Sequence, residues 1–90
     1  MTTLVLEHLQ HADSASPDIT IDSSGRIGIG TTGPGTTLHV YNSTVNGVAT
    51  FESGDAQGGI ALKDNSTTQP VYLLADGNDL NFLHQEDSEV

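Results

Sequence analysis

The chain contains no cysteine and no tryptophan, and it has two basic residues against twelve acidic ones in 90. Without cysteine, disulfides and cysteine-based zinc sites are excluded. Arg26 and Lys63 are the whole cationic complement, leaving a formal net charge of −10. A phosphate backbone is held by several cations, so nucleic acid is not an expected partner. Polybasic attachment to an anionic membrane is excluded by the same count. The N-terminus lacks the cationic start and apolar run of a signal peptide, and no stretch approaches the roughly 18 apolar residues of a membrane span. No membrane partner is expected. So much negative charge favours solubility.

Large apolar side chains are also scarce. Leu, Ile, Val and Phe together supply 22 of the 90 residues, just above the roughly 20% at which a highly charged chain stays unfolded. A lone domain of this size buries only about 63% of its unfolded surface. Small chains with thin cores draw on disulfides, metal or oligomerisation. With disulfides excluded, oligomerisation is the simplest way to complete the core.

What is present favours strands. Thr contributes 11 residues, Gly 10 and Ser 8, a composition suited to short strands and turns and poor for helices. Apolar residues recur with period two: Ile19 and Ile21, Ile27 and Ile29, Leu38 and Val40. Ser23-Ser24-Gly25-Arg26 is a hairpin connection between the first two pairs. Val48–Phe51 and Ile60–Leu62 are further strand candidates, and Val71–Leu74 and Leu80–Leu83 flank a turn at Asp76-Gly77-Asn78-Asp79. The expectation is an all-β chain of six or seven short antiparallel strands and hairpins. Residues 1–12, with Leu4, Leu6 and Leu9, suit a strand or a short helical turn. Ala12–Pro17 reads as a linker or extended arm, and Gln85–Val90 as a solvated end. The division expected is an N-terminal attachment arm over 1–22 and a β-rich trimerisation or knob domain over 23–90.

Gly28-Ile29-Gly30-Thr31-Thr32-Gly33 matches the dinucleotide-binding pattern GxGxxG. That pattern works between a strand and a helix whose N-terminus receives a pyrophosphate. Here Pro34, Gly35, Thr36 and Thr37 follow, no helix can start, and the chain is too short for the rest of such a sheet. The glycines fit better as strand positions where another backbone comes close, and a second copy is the expected owner of that backbone.

The segment Ile19–Ser43, centred on Gly25-Arg26-Ile27-Gly28-Ile29-Gly30-Thr31-Thr32 and continuing through Pro34 to Leu38-His39-Val40, resembles one found in bacteriophage fibre and appendage proteins. The form there is V/I-G-I-G-T-T, a proline, then L-H-V; Gly33 stands here where Ser or Asn is common. Glu52-Ser53-Gly54-Asp55, Gly59–Asn65 and Asp76–Leu80 are similar to downstream stretches of such proteins. The front, His11–Asp22, is similar to the openings of short structural proteins of marine and cyanobacterial phages. The resemblance implies a β-rich homotrimer whose chains share a core around one axis. Larger relatives often end in a self-cleaving chaperone domain, and in 90 residues that activity is not expected to carry over.

No cofactor is expected, and the metal candidates are weak. His8 and His11 would share a face only in a helix. One His39 per chain could form a three-histidine ring on a trimer axis, although ligation needs several convergent groups. A polar strand histidine, hydrogen-bonded across a subunit boundary, is the simpler account. Asp76, Asn78 and Asp79 lack the terminal Glu of a calcium loop and suit an ordinary turn. Asn42-Ser43-Thr44 and Asn65-Ser66-Thr67 match the glycosylation sequon, which a phage protein made in bacteria would not use. No Ser or Thr is paired with an activating base, so the chain is not expected to be an enzyme.

The expectation is therefore a virion structural protein: a homotrimer decorating the capsid exterior as a cement or short head fibre and bound to the major capsid protein. At about 3.3 Å per residue, 90 residues folded into hairpins make a stub rather than a shaft. Ile27, Gly28, Ile29, Gly30, Leu38, Val40, Ile60, Leu62, Leu73 and Phe82 are the expected trimer core. Leu4, Leu6, Leu9, Pro17 and Ile19 are the expected capsid-attachment residues. The alternative is a small tail-fibre or adaptor component that touches a host receptor. Its recognition surface would have only Tyr41, Tyr72, Phe51 and Phe82 to draw on.

Overall fold

β-Branched and aliphatic residues at alternate positions, punctuated by Gly, Asn, Asp and Ser, fold into strands because each strand can turn one apolar row to one side. A computed structural model describes residues 2–84. Seven strands are present among the described residues: β1 (His8–Leu9), β2 (Ile19–Ile21), β3 (Ile27–Ile29), β4 (Leu38–Val40), β5 (Gln57–Leu62), β6 (Val71–Asp76) and β7 (Asp79–His84). There is no helix among them. The protein is all-β, built as two small sheets. The chain divides into two compact units, Met1–Ala49 and Thr50–Val90. The acidic end, Gln85–Val90, lies outside the described residues.

The first unit holds a four-stranded sheet in the order β1-β2-β3-β4. β1, β2 and β3 are antiparallel neighbours. The β2–β3 hairpin is closed by Asp22, whose Oδ1 accepts from the amides of Ser24 and Arg26, both at 2.9 Å. Gly25 takes the left-handed conformation, φ 79°, that the turn requires. The expected hairpin is thus present. The next pairing departs from expectation: β3 and β4 are parallel, with Ile27 opposite Leu38 and Ile29 opposite Val40. A parallel pair cannot be joined by a tight turn, and residues 30–37 make the crossover instead.

The second unit holds a three-stranded antiparallel sheet in the order β5-β6-β7. The β6–β7 hairpin falls where the sequence places it, with Asp76 opposite Asp79 around Gly77 (φ 62°) and Asn78. One expectation is corrected here and another is met by a longer strand. Val48–Phe51 has no strand structure, because no partner strand receives it and β-propensity without a partner does not suffice. β5 begins at Gln57, three residues before Ile60, and runs through Gly58 and Gly59. A Cβ at Gly59 would collide with the Leu74 side chain. The glycine leaves the space in which Leu74 lies, 7% exposed and the one buried large aliphatic among the described residues.

Candidate assembly surface

Period-two alternation places every second residue of a strand on one side of its sheet, and residues directly opposite each other share that side. In the first sheet one register row is Leu9, Ile19, Ile29 and Val40, and another is Ile21, Ile27 and Leu38. Both rows lie on the same face, so all seven residues on it are aliphatic. The intervening row is His8, Thr20, Gly28 and His39, on the opposite face.

Burial is the reverse of what polarity alone predicts. The polar face is covered at its centre: Thr20 is 3% exposed, and Gly28 and Pro34 are buried, while His39 is half-buried and His8 at the edge is exposed. Thr20 Oγ1 and His8 Nδ1 share a hydrogen bond at 3.1 Å. The aliphatic face is the more open one, although Ile19 and Val40 on it are half-buried. Ile27 is 39% exposed and Leu38 55%, with Leu9, Ile21 and Ile29 in the same range. Full burial of such a side chain is worth about 1.5–3 kcal/mol. The exposed fractions of these five therefore leave about 3–7 kcal/mol of hydrophobic free energy unrealised in the lone chain.

The crossover explains which way the sheet is covered. A Cβ on Gly28 would collide with the Thr31 carbonyl and lie 3.1 Å from Thr31 Cγ2 and 3.4 Å from Pro34 Cβ. Only a glycine lets residues 31–34 lie flat on the sheet. Gly30 turns the chain at φ 80°, where a Cβ would collide with the Tyr41 carbonyl. Thr31 Oγ1 accepts from the Gly33 amide at 3.1 Å, and His39 Nδ1 accepts from the Gly35 amide at 3.0 Å. The Gly-Ile-Gly-Thr-Thr, Pro and Leu-His-Val residues thus act together. Glycines, proline and histidine hold the crossover on one side while Ile27, Ile29, Leu38 and Val40 fill the other. The backbone seen close to Gly28 and Gly30 is that of residues 31 and 41 of this chain, where a second copy was the expected owner. His39 likewise meets an amide of its own chain.

The second sheet also has a face without acids over β5, β6 and β7, with His84 in the register position opposite Val71 at one end. Leu62, Ile60 and Gly58 share it with Val71, Leu73 and Ala75, and with Phe82 and Leu80. Leu80 is 70% exposed and Phe82 47%. At one end of this face, Phe51, Gly58, Ala75 and Leu80 border an open apolar groove of about 250 Å³. The acids of this sheet, Asp76 and Asp79, lie on the opposite side with Tyr72, Leu74 and Asn81.

The residues expected in a trimer core therefore separate by register. Ile27, Ile29, Leu38 and Val40 share the bare face of the first sheet, and Ile60, Leu62, Leu73 and Phe82 share that of the second. Gly28 is on the covered face, and Gly30 forms the turn after β3. Among the expected attachment residues, Leu9 and Ile19 are cross-strand partners, Leu4 and Leu6 are exposed, and Pro17 is half-buried. Sequence selection overlooked Ile21, Val71 and Leu80, although each lies two residues from a chosen or alternating apolar partner.

Acidic and amide side chains secure the loops. Asp18 accepts from the His11 amide at 2.6 Å and from Ser14 Oγ at 2.9 Å, which closes Ala12–Pro17 into a loop between β1 and β2. The His11 amide, followed by Ser14, holds the Asp18 carboxyl below the usual range. The Arg26 amide does the same for Asp22, with the Arg26 guanidinium at 2.9 Å and the Ser24 amide adding to it. The Thr67 hydroxyl, at 2.7 Å, and the Ser66 amide lower Asp64. In each case hydrogen bonds to the ionised form favour it. Asn42 of the first sequon accepts from the amides of Thr44 and Val45, an Asx-type turn. Among the described residues no three His, Cys, Asp or Glu side chains are placed to hold a metal ion. A scan against protein-family models and a search of the curated proteins each found no match.

Proposed function

We propose that this chain is a non-enzymatic structural subunit of a bacteriophage particle, a homotrimer that decorates the capsid exterior as a cement protein or short head fibre. The observation that carries the assembly part is the burial pattern: each sheet keeps an aliphatic face open, and one large aliphatic side chain among the described residues is buried. A chain with so little interior of its own gains it from other chains. The phage assignment rests on the resemblance of Ile19–Ser43 to fibre and appendage segments, whose glycines, proline and histidine have mutually consistent tasks in the crossover. Binding would be multivalent: each trimer meets several copies of the major capsid protein, and weak contacts add through effective concentration. Residues 1–22 would take part in that attachment, and the net charge of −10 would keep decorated particles apart.

Imaging purified virions and counting this chain per particle tests the proposal. Density on the shell and hundreds of copies are expected. Density at the tail with only a few copies would instead favour a tail-fibre or adaptor role.

A further inference from the structure

The two bare faces differ in what can cover them, and strand length and edge chemistry decide between them. Strands of the first sheet are two or three residues long, too short to template a ladder with another chain. Those of the second sheet are six residues long, and its two outer strands, β5 and β7, each have one edge without a strand neighbour among the described residues. An open edge is a template for another strand unless Lys, Pro or an inward charge blunts it. β5 reads Gln-Gly-Gly-Ile-Ala-Leu, with no charge and no proline, and β7 has no charge from Leu80 to Leu83. The face between these edges carries no acid although the chain has twelve. Like-charged copies can meet there without opposing carboxylates, whereas a cationic partner would find nothing to pair with.

We propose that copies of this chain associate through the second sheet, burying Ile60, Leu62, Val71, Leu73, Leu80 and Phe82 against one another with β5 and β7 at the seams, and that the first sheet takes no part in self-association. This rests on the homo-oligomeric reading and narrows it to one of the two units. The face and the β5 edge suit a second copy: the face carries no acid, β5 carries no charge, and both are present identically on every chain.

The test uses the full chain, whose lack of cysteine gives a clean background for thiol cross-linking. Leu80→Cys and Leu38→Cys replace two exposed side chains, one on each bare face. With a short bifunctional thiol reagent, Leu80→Cys should become covalently linked between chains, while Leu38→Cys should stay at single-chain mass in denaturing gels. Phe82→Asp should reduce the light-scattering mass from oligomer to single chain, and Ile29→Asp should leave it unchanged. Linking through Leu38→Cys, or dissociation by Ile29→Asp and not by Phe82→Asp, would overturn the assignment while leaving the homo-oligomeric reading standing. A wild-type chain that scatters as a folded monomer would overturn both this inference and the homotrimer.

Discussion

Replacing Gly28 with alanine places a methyl group between β3 and the crossover that covers it. The added Cβ would collide with the Thr31 carbonyl and press on Thr31 Cγ2 at 3.1 Å and Pro34 Cβ at 3.4 Å. The carbonyl is backbone, fixed by a loop that the Thr31–Gly33 and His39–Gly35 hydrogen bonds hold in place, so the crossover must lift. Overpacking of this kind costs about 1–3 kcal/mol. Gly→Ala also restricts the unfolded chain, which offsets about 0.4–1 kcal/mol of the loss. A net destabilisation of about 1–2 kcal/mol is expected. Gly33→Ala is the internal control. Nothing lies within 4 Å of a Cβ there and its φ is not in the left-handed region, so the entropic gain should appear alone, as a change near zero or slightly stabilising. Urea unfolding at one fixed chain concentration should place the midpoint of Gly28→Ala well below that of Gly33→Ala, with equal slopes. Equal midpoints would refute the in-chain crowding derived for Gly28. A Gly28→Ala loss seen only as a lower oligomer mass, with unfolding of the remaining chain unchanged, would return the close approach to a second copy.

Thr20→Val keeps the shape of a buried side chain and removes its bond to His8. A loss of about 0.5–1.5 kcal/mol is expected from the same urea experiment. Asp18, Asp22 and Asp64 have carboxyls held below the usual range when folded. Their stabilisation is complete above the unfolded carboxylate value and is lost as pH falls through the lower folded values. Amide resonances of His11, Ser24, Arg26 and Ser66 should therefore keep their native positions to lower pH than exposed carboxylates take to titrate. Coincident titration would contradict the bonded turns. Self-association should tighten with added salt, because each chain carries −10 and the Debye length falls to about 10 Å at 0.1 M. Sedimentation at several ionic strengths reads this directly, and weakening with salt would point to an ion-paired interface.

Much of the strand layout was legible in the residues. Ile19/Ile21, Ile27/Ile29 and Leu38/Val40 alternate cleanly, and Ser23–Arg26 and Asp76–Asp79 carry turn chemistry that needs no tertiary partner. Val48–Phe51 shows the limit: four residues with strand propensity stay irregular because no strand lies beside them. The direction of β4 was also out of reach, since hydrophobic alternation is the same in a parallel and an antiparallel pair. The open aliphatic faces were half legible. Period two groups Ile27 with Ile29 and Leu73 with Phe82 only once the register across strands is known.

Composition alone determined that the chain is β-rich, acidic, free of covalent cross-links and short of large apolar residues. Those properties follow from residue types and local sterics, which do not depend on what packs against what. The tertiary structure decided which side of each sheet is covered. Gly28, Thr31 and Pro34 bring the chain's own crossover onto the His8–Thr20–His39 side, so the scarce aliphatic residues are left facing outward. That outcome depends on a backbone passing over one glycine, a long-range contact that alternation and composition do not encode.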